Sequence, residues 1–405
     1  MTSDTQGRQN FYQSIPDFWP DLYEMEYALY DVATITATEV AHIRVASEKI
    51  WHIFTKTLTL LQLVPDATLL SLGFPKNSLP YLRLTTLPLA SVIARLDLIP
   101  YHNSYKCIEI NADTPTFIKE LFTVNQKVCE HFNVNNPNKY EEARLFRAIR
   151  ASVEKSAPKE TAHIVFTAHS DDIEDALTVR YLQSAIPHAH FTPLHRLHIV
   201  RHEGLYDEVG RKIDVLYRQT FPLEQLLEDT NEQGDPIGEW LLELVQQRKL
   251  AIINPPSAFL LQNKAVQAVI WGLHDNNDPY FTPQEHCDIA HYFLPTYLEN
   301  TPFIAAKQAF VEKPIFGREG DTVRIFEGTN KLRYQEEART YTTYPYVYQA
   351  YVKQPIQHFK TEQGMQQGSL LLGSFIVGNQ ASAIGYRVGA TITNNLSYYL
   401  PLGML

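Results

Sequence analysis

After about residue 300 the sequence changes texture, and that change limits what the chain can fold into. Before it, strand-like apolar runs alternate with helix-like stretches. The runs are "CIEI" from Cys107, "HIVFTA" from His163, "IDVLY" from Ile213 and "LAIIN" from Leu250. Between them lie "EEARLFRAIRASVEK", "DIEDALTVRYLQSAI" and "LEQLLEDTNEQGDPIGEWLLELVQQRK", the last broken at Gly234 and Pro236. After it come "FVEKPI", "TVRIFE", "YPYVYQAYV", "GSLLLGSFIVG" and "ASAIGYRVG", short β-rich runs joined by Gly-bearing turns. Alternation predicts an α/β region, and the later pattern predicts antiparallel sheet. The expected division is residues 1–250 as an α/β region and 251–405 as a mainly antiparallel one. Upstream, "TATEVAHIRVASEKIWHIFTKTLTLL" carries apolar residues at three- and four-residue spacing and predicts a long amphipathic helix.

With 405 residues, 44% of them hydrophobic, the chain can bury a large core. Its net charge of −10 and the absence of any Lys/Arg run argue against sequence-independent nucleic-acid binding, which needs basic surface. Local charge can still oppose the global sign in a nucleotide pocket. Three cysteines (Cys107, Cys129, Cys287), none in a C-x-x-C pair, fit a reducing compartment. The polar start "MTSDTQGRQN" has no apolar leader core, and the longest apolar stretch is interrupted by Pro65 and Asp66. A soluble cytoplasmic protein with no membrane partner is expected.

The densest chemistry lies in "RLDLIPYHNSYKCIEINADTPT". Glu109 and Asn111 are two apart, so on a strand they share a face, and Arg95 and Asp97 share the same alternation. If "IARLDL" and "CIEIN" pair as a hairpin around "IPYHNSYK", all four side chains converge. Asp97, Glu109 and Asn111 would then offer the hard oxygen donors that suit Mg²⁺. The alternation Cys107/Glu109/Asn111 against Ile108/Ile110 fits solvent-facing positions on an edge strand equally well, and spacing leaves both readings open.

A second segment, "KPIFGREGDTV", places Lys313, Gly317, Arg318, Glu319 and Gly320 between two strand-like runs. Two glycines three apart let backbone N–H groups approach phosphates, and Lys313 would aim a cation at them. The same segment also reads as a hairpin turn, and it matches neither the P-loop nor the G-x-G-x-x-G pattern. "YVYQAYVKQP" reads as a strand lining an adenine pocket or as an ordinary core strand. Lys264 in "NPPSAFLLQNKAVQAVIW" reads as a phosphate ligand or a surface lysine. The histidines of "PHAHFTPLHRLHIVRHE" lack thiol partners and H-E-x-x-H spacing, which argues against zinc. "HSDDIEDALT" reads as an acidic helix start.

Read together and in order, these segments resemble the glutathionylspermidine synthase family of ATP-grasp carboxylate–amine ligases. The resemblance runs from about residue 17 to the end. It is carried most specifically by "EINADTPT" and "KPIFGREG", with support from "SDDIEDALTVRYL", "IDVLYRQTFPLE", "NPPSAFLLQNKAVQAVIW", "YVYQAYV" and "GSFIVGNQASAIGYRVGATITNNLSYYLP". It implies ATP and Mg²⁺ as cofactors and small-molecule acid and amine substrates. Magnesium would be held by Asp97, Glu109 and Asn111. The nucleotide would be held by Lys264, Lys313 and the loop Gly317, Arg318, Glu319 and Gly320, with Gln349, Tyr351 and Val352 at the adenine. Arg95 and Arg387 would face the transferring phosphoryl and carboxylate. Thr114 and Thr116 would face the acid, and Glu174 and Asp175 the amine.

The implied fold is a permuted ATP-grasp fold, α/β (α+β), in which the metal segment near 90–120 precedes the nucleotide lysines and the core is discontinuous. The implied activity is amide-bond formation through an acylphosphate. The alternatives are a nucleotide-binding regulatory relative without turnover and a phosphotransferase. Some family members have serines at the positions of Thr114 and Thr116, and a glutamate at that of Asp175. The shorter acid alters the reach toward a polyamine nitrogen, so the implied amine is polyamine-like, with spermidine itself left open. The chain starts almost directly at the synthetase part, so product hydrolysis by an N-terminal amidase is not expected.

Overall fold

The computed structural model describes residues 3–159, 161–220 and 222–405. Met1 and Thr2 of the N-terminal segment, Glu160, and Phe221 of "IDVLYRQTFPLE" lie outside the described residues. The fold mixes helix and sheet, as the sequence pattern predicts, and three sheets carry it.

The largest sheet has six antiparallel strands. Its order runs Tyr398–Leu400, Gln380–Gly389, Gly364–Val377, Ile93–Tyr101, Ser104–Asn111, with Ile356–Thr361 also paired to Gly364–Val377. The hairpin at 93–111 therefore sits in one sheet with strands more than 250 residues later in the chain. The long amphipathic helix Ala37–Leu63 covers this sheet. A capping box of Thr36 and Glu39 starts it, satisfying backbone N–H groups that a helix start leaves open. Its buried face includes Ile43, Ile50 and Phe54, and Ser47 bonds Ser374 of the sheet at 2.7 Å.

The second sheet has five antiparallel strands in the order Thr296–Tyr297, Tyr346–Ala350, Phe310–Pro314, Arg324–Phe326, Leu332–Gln335. The third is parallel, in the order Ala251–Ile253, Val215–Gln219, Ile164–Ala168, His190–Phe191. The two central strands are buried at every residue, as expected where helices cover both faces of a parallel sheet.

Two buried polar links fix the parallel sheet to the hairpin. Asn254 follows the strand Ala251–Ile253, and its Oδ1 accepts from the Val92 N–H at 2.7 Å. Its Nδ2 donates to the carbonyls of Asp113 at 2.7 Å, Ile93 at 3.1 Å and Ala112 at 3.2 Å. Arg218, on the strand Val215–Gln219, donates from Nη2 to both carboxylate oxygens of Asp113 at 2.6 and 2.7 Å, with both residues buried. The carboxyl ends of the parallel strands, where such sheets bind ligands, are thereby held against the loop that follows the hairpin.

Candidate functional site

The hairpin left open by the spacing forms, and its register brings the four side chains together. Arg95 lies opposite Asn111, and Asp97 opposite Glu109. A bulge between Asp97 and Leu98 then leaves Ile108 as an extra residue on the second strand. Strict alternation would place Cys107 with Glu109 and Asn111. The bulge instead turns Cys107 into the core with Ile110, while Ile108 joins Glu109 and Asn111 at a cleft.

That cleft, counted with its solvent mouth, holds about 1350 Å³. Arg95, Asp97, Glu109, Asn111, Thr114, Thr116, Glu174, Lys264, Lys313, Gly317, Arg318, Glu319, Gly320, Gln349, Tyr351, Val352 and Arg387 all line it. Of the residues singled out in the sequence, Asp175 alone does not. It is the third residue of the helix Ile173–Gln183, and its backbone N–H is capped by the Asp172 carboxylate at 2.9 Å. Burial, then the charge of Asp172, pushes the Asp175 carboxyl up to about 7, against the lowering effects of Arg318 and a hydrogen bond from Gln219.

Within the cleft the charges are arranged in ordered contacts. Arg95 grips Asp97 as a fork, Nε to Oδ1 at 2.7 Å and Nη2 to Oδ2 at 3.0 Å, and Nη1 reaches the Thr116 carbonyl at 3.0 Å. Glu109 keeps more freedom, facing Lys264 Nζ at 3.5 Å. The Asn111 side-chain nitrogen is buried with no hydrogen-bond partner among the described residues, an arrangement that costs free energy unless a ligand completes it. Lys313 is buried and donates to the Ile108 carbonyl at 3.1 Å and to Gln349 Oε1 at 2.9 Å. Burial lowers the Lys313 ammonium to about 8, with Glu109 opposing the fall. Lys264 Nζ donates to the Gly317 carbonyl at 2.8 Å, so it touches the glycine-bearing loop directly.

The loop Ile315–Thr322 needs its glycines for close approach. Gly320 has φ +73°, and a Cβ there would lie 2.6 Å from the Thr393 carbonyl. The loop thus packs on the segment 391–395 across the mouth of the cleft. Inside, Leu294, Val311, Val323, Ile325 and Val352 give an apolar wall beside Gln349 and Tyr351. The N–H groups of Ala350 and Tyr351 bond to Pro295 and Ala309. Arg387, on the strand Gln380–Gly389 of the same sheet as the hairpin, donates to the Asn394 carbonyl at 2.9 Å and lines the cleft.

Several residues of this region escape a reading of motifs. Gln267 donates to the Ile108 carbonyl at 3.1 Å and accepts from Gln349 at 3.0 Å, fixing the amide beside Lys313. Gln219 Nε2 holds the Thr114 carbonyl at 3.1 Å. Glu224 is buried, and burial, then the charge of Asp113, pushes it up to about 7. Tyr27 lines the cleft, and its hydroxyl donates to the buried Glu120 at 2.6 Å. One signal was available: an arginine and a glutamine ending the apolar run "IDVLYRQ" demand buried polar partners. No motif marks Tyr27 or Glu120.

Residues 7–404 match the family described as glutathionylspermidine synthase pre-ATP-grasp. The chain belongs to that family. A Haemophilus influenzae protein carrying the provisional name acid–amine ligase is 27% identical over 314 residues, 74% of this chain and 71% of that protein. A solved structure from Methylobacillus flagellatus KT, provisionally titled a gamma-glutamylcysteine synthetase, aligns over 88% of this chain and 87% of that one. Its identity is 11% and its TM-score 0.45. Among the described residues no helix is long and apolar enough to cross a membrane.

Proposed function

We propose that the chain is an ATP-dependent ligase that joins a peptide-like carboxylate to a polyamine-like amine through an acylphosphate. One observation carries the reading. An acidic hairpin, two lysines from distant segments and two arginines from separate strands line a single cleft that a glycine-bearing loop overhangs. Membership of the family and the name of the Haemophilus influenzae relative support an acid–amine ligase in particular.

A carboxylate is a poor electrophile, and phosphorylation by ATP supplies the leaving group that an amine can displace. In this reading Lys264 and Lys313 hold the nucleotide phosphates, and the apolar wall beside Gln349, Tyr351 and Val352 takes the adenine. Arg318, Glu319 and the flanking Gly317 and Gly320 cover the phosphates and keep water from the acylphosphate. Arg387 and Arg95, whose own fork holds Asp97, face the transferring phosphoryl group with permanent positive charge. Thr114 and Thr116 orient the acid. Glu174 lies on the amine side, with Asp175 behind it.

The donor set also fits a divalent cation. Glu109 and Asn111 present side-chain oxygens to the cleft beside Asp97, while the unpartnered Asn111 Nδ2 is a donor that would meet a phosphate oxygen rather than the cation. Magnesium held there would neutralise charge on the phosphate oxygens during transfer. The protein's own share is positioning and fixed charge.

The test is a matrix of acids and amines assayed for ADP release, with mass spectrometry of the products. ADP that requires both an acid and an amine, with a condensed product lighter than the sum by one water, supports ligation. ADP formed without any amine would favour a phosphotransferase. Nucleotide binding with no turnover on any pair would remove the enzyme reading.

A further inference from the structure

Glu120 is a buried carboxylate whose hydrogen-bond partner, Tyr27, lines the cleft. Glu120 begins a single five-residue π-helical turn, Glu120–Val124, a rare distortion that often accompanies functional positions. Its carboxylate is fully buried. Oε1 accepts from the Tyr27 hydroxyl at 2.6 Å, while Oε2 has no hydrogen-bond partner among the described residues. Tyr27 and Glu174 line the cleft, and Glu120 stands close enough to act on both electrostatically, and on Arg95 and Arg387. A buried carboxylate oxygen without a donor, on a group one hydrogen bond from a cleft-lining tyrosine, calls for an explanation.

The ligation chemistry has a matching need. A primary amine is an ammonium ion at neutral pH and must shed a proton before it attacks. We propose, resting on the ligase reading, that Glu174 accepts that proton and that Glu120, held by Tyr27, is the positioning residue that tunes Glu174 for it. Glu174 takes one proton from the ammonium nitrogen. The freed lone pair forms the C–N bond at the acyl carbon of the acylphosphate. The bond from that carbon to the bridging oxygen breaks, and phosphate departs with the electron pair. The nitrogen's remaining surplus proton leaves with the phosphate, and Glu174 returns its proton to water.

The electrostatics agree with the geometry. Burial, then the charges of Glu120, Asp175 and Asp172, holds the Glu174 carboxyl well above the ordinary carboxylate range, with Arg387 opposing. Arg95, Tyr23 and Tyr27 also feel the Glu174 charge. A carboxylate raised in this way is a stronger base than a solvated one, which suits it to proton transfer. Glu120 is itself raised by burial, while the Tyr27 hydrogen bond and the charges of Arg387 and Arg95 favour its anion.

The experiment compares two nucleophiles in the presence of ATP, Mg²⁺ and a panel of acids including glutathione. Propane-1,3-diamine is protonated at pH 7, whereas hydroxylamine is already neutral there and traps an acylphosphate as a hydroxamate. Glu174→Gln is expected to lower diamine turnover by roughly 10²–10⁴-fold. The loss should be at least about tenfold smaller with hydroxylamine, within the span that proton transfer contributes. Glu120→Gln keeps an acceptor for Tyr27 but removes a like charge beside Glu174. The acidic limb of kcat/KM for the diamine is therefore expected to move to lower pH by about one unit. If Glu120→Gln does not fold, Tyr27→Phe removes the bond that favours the Glu120 anion, and the limb should shift in the same direction.

Equal losses with both nucleophiles in Glu174→Gln would overturn the proton-acceptor role. An unmoved limb in the folded variant would overturn the tuning role of Glu120. A wild-type protein that releases no ADP with any acid and either nucleophile removes the ligase reading, and this proposal with it.

Discussion

Arg95 holds Asp97 by two parallel hydrogen bonds, Nε to Oδ1 at 2.7 Å and Nη2 to Oδ2 at 3.0 Å, at two buried positions of one strand. Burial lowers the proton affinity of the Arg95 guanidinium, but the charge and hydrogen bonds of Asp97 outweigh it and hold the group above its usual range. Removing one partner leaves the other charged and buried. Asp97→Ala is therefore expected to destabilise the fold by about 3–5 kcal/mol. Chemical denaturation measures this directly, and a loss below about 1 kcal/mol would show that the pair is solvated in the free protein.

The same fork bears on catalysis. Arg95→Lys keeps the charge but cannot make two parallel bonds or present a planar face to a phosphoryl group. If Arg95 stabilises the transferring phosphoryl, turnover falls by roughly 10²–10³-fold, the range seen when one preorganised donor is removed. KM for ATP should change much less. Steady-state kinetics separate the two, and a variant with raised KM and normal kcat would place Arg95 in nucleotide binding instead.

How much of this was legible beforehand varies with the kind of constraint. The hairpin was readable because polar residues two apart must share a strand face, and Arg95, Asp97, Glu109 and Asn111 met as that rule requires. The break of the later helix near Gly234 and Pro236 is likewise local chemistry, and the observed helices run Leu223–Leu226 and Ile237–Gln246. The bulge at Ile108 was not readable, since nothing in "CIEIN" marks an inserted residue, and it reversed the face of Cys107. Nor were the long-range polar links. Asn254 reaching Val92, and Arg218 reaching Asp113, are tertiary choices that no periodicity records.

Gly320 tests the overhanging loop. Its φ of +73° and the Thr393 carbonyl 2.6 Å from a notional Cβ leave no room for a side chain, so Gly320→Val must lift the loop from segment 391–395. Ile315 and Phe316 anchor the start of the loop in the core, but residues 317–321 bury no apolar side chain, so the thermal midpoint should fall by no more than a few degrees. ATP hydrolysis without product should rise relative to ligation, because an acylphosphate that is less well covered meets water. Parallel assays of ADP and condensed product give the ratio, and an unchanged ratio would deny the loop a covering role.

Asn254→Ala removes five buried hydrogen bonds that join the parallel sheet to the hairpin and the loop after it. The Val92 N–H and the Asp113 carbonyl would lose their shortest partner. The expected cost is about 2–4 kcal/mol, from buried groups left without bonds. Hydrogen exchange should show new opening at residues 91–93 and 112–114, with the strand core of the five-stranded sheet unaffected. Uniform loss of protection across the molecule would mean instead that the link acts globally.

Glu285 gives a pH dependence away from the cleft. Its carboxylate accepts from the Thr282 N–H at 2.7 Å in a capping box, from Lys56 at 2.6 Å, and pairs with His52 at 2.8 Å, tying the helix Pro283–Tyr292 to the long helix. Burial alone would raise it, but the bonds from Lys56, Thr282 and His52 outweigh burial and hold it at about 2. The folded value lies below the unfolded value of about 4.3, so the folded state binds the proton less readily than the unfolded one. This contribution is present in full above pH ~5 and is lost as pH falls toward 2. Integrated over that window it is on the order of 2–3 kcal/mol. Glu285→Gln should therefore flatten the stability profile between pH 5 and pH 2, and the two proteins should converge in stability at the acid end. Denaturant unfolding at four or five pH values measures both curves. A constant gap across the window would show that the Glu285 contribution is packing rather than charge.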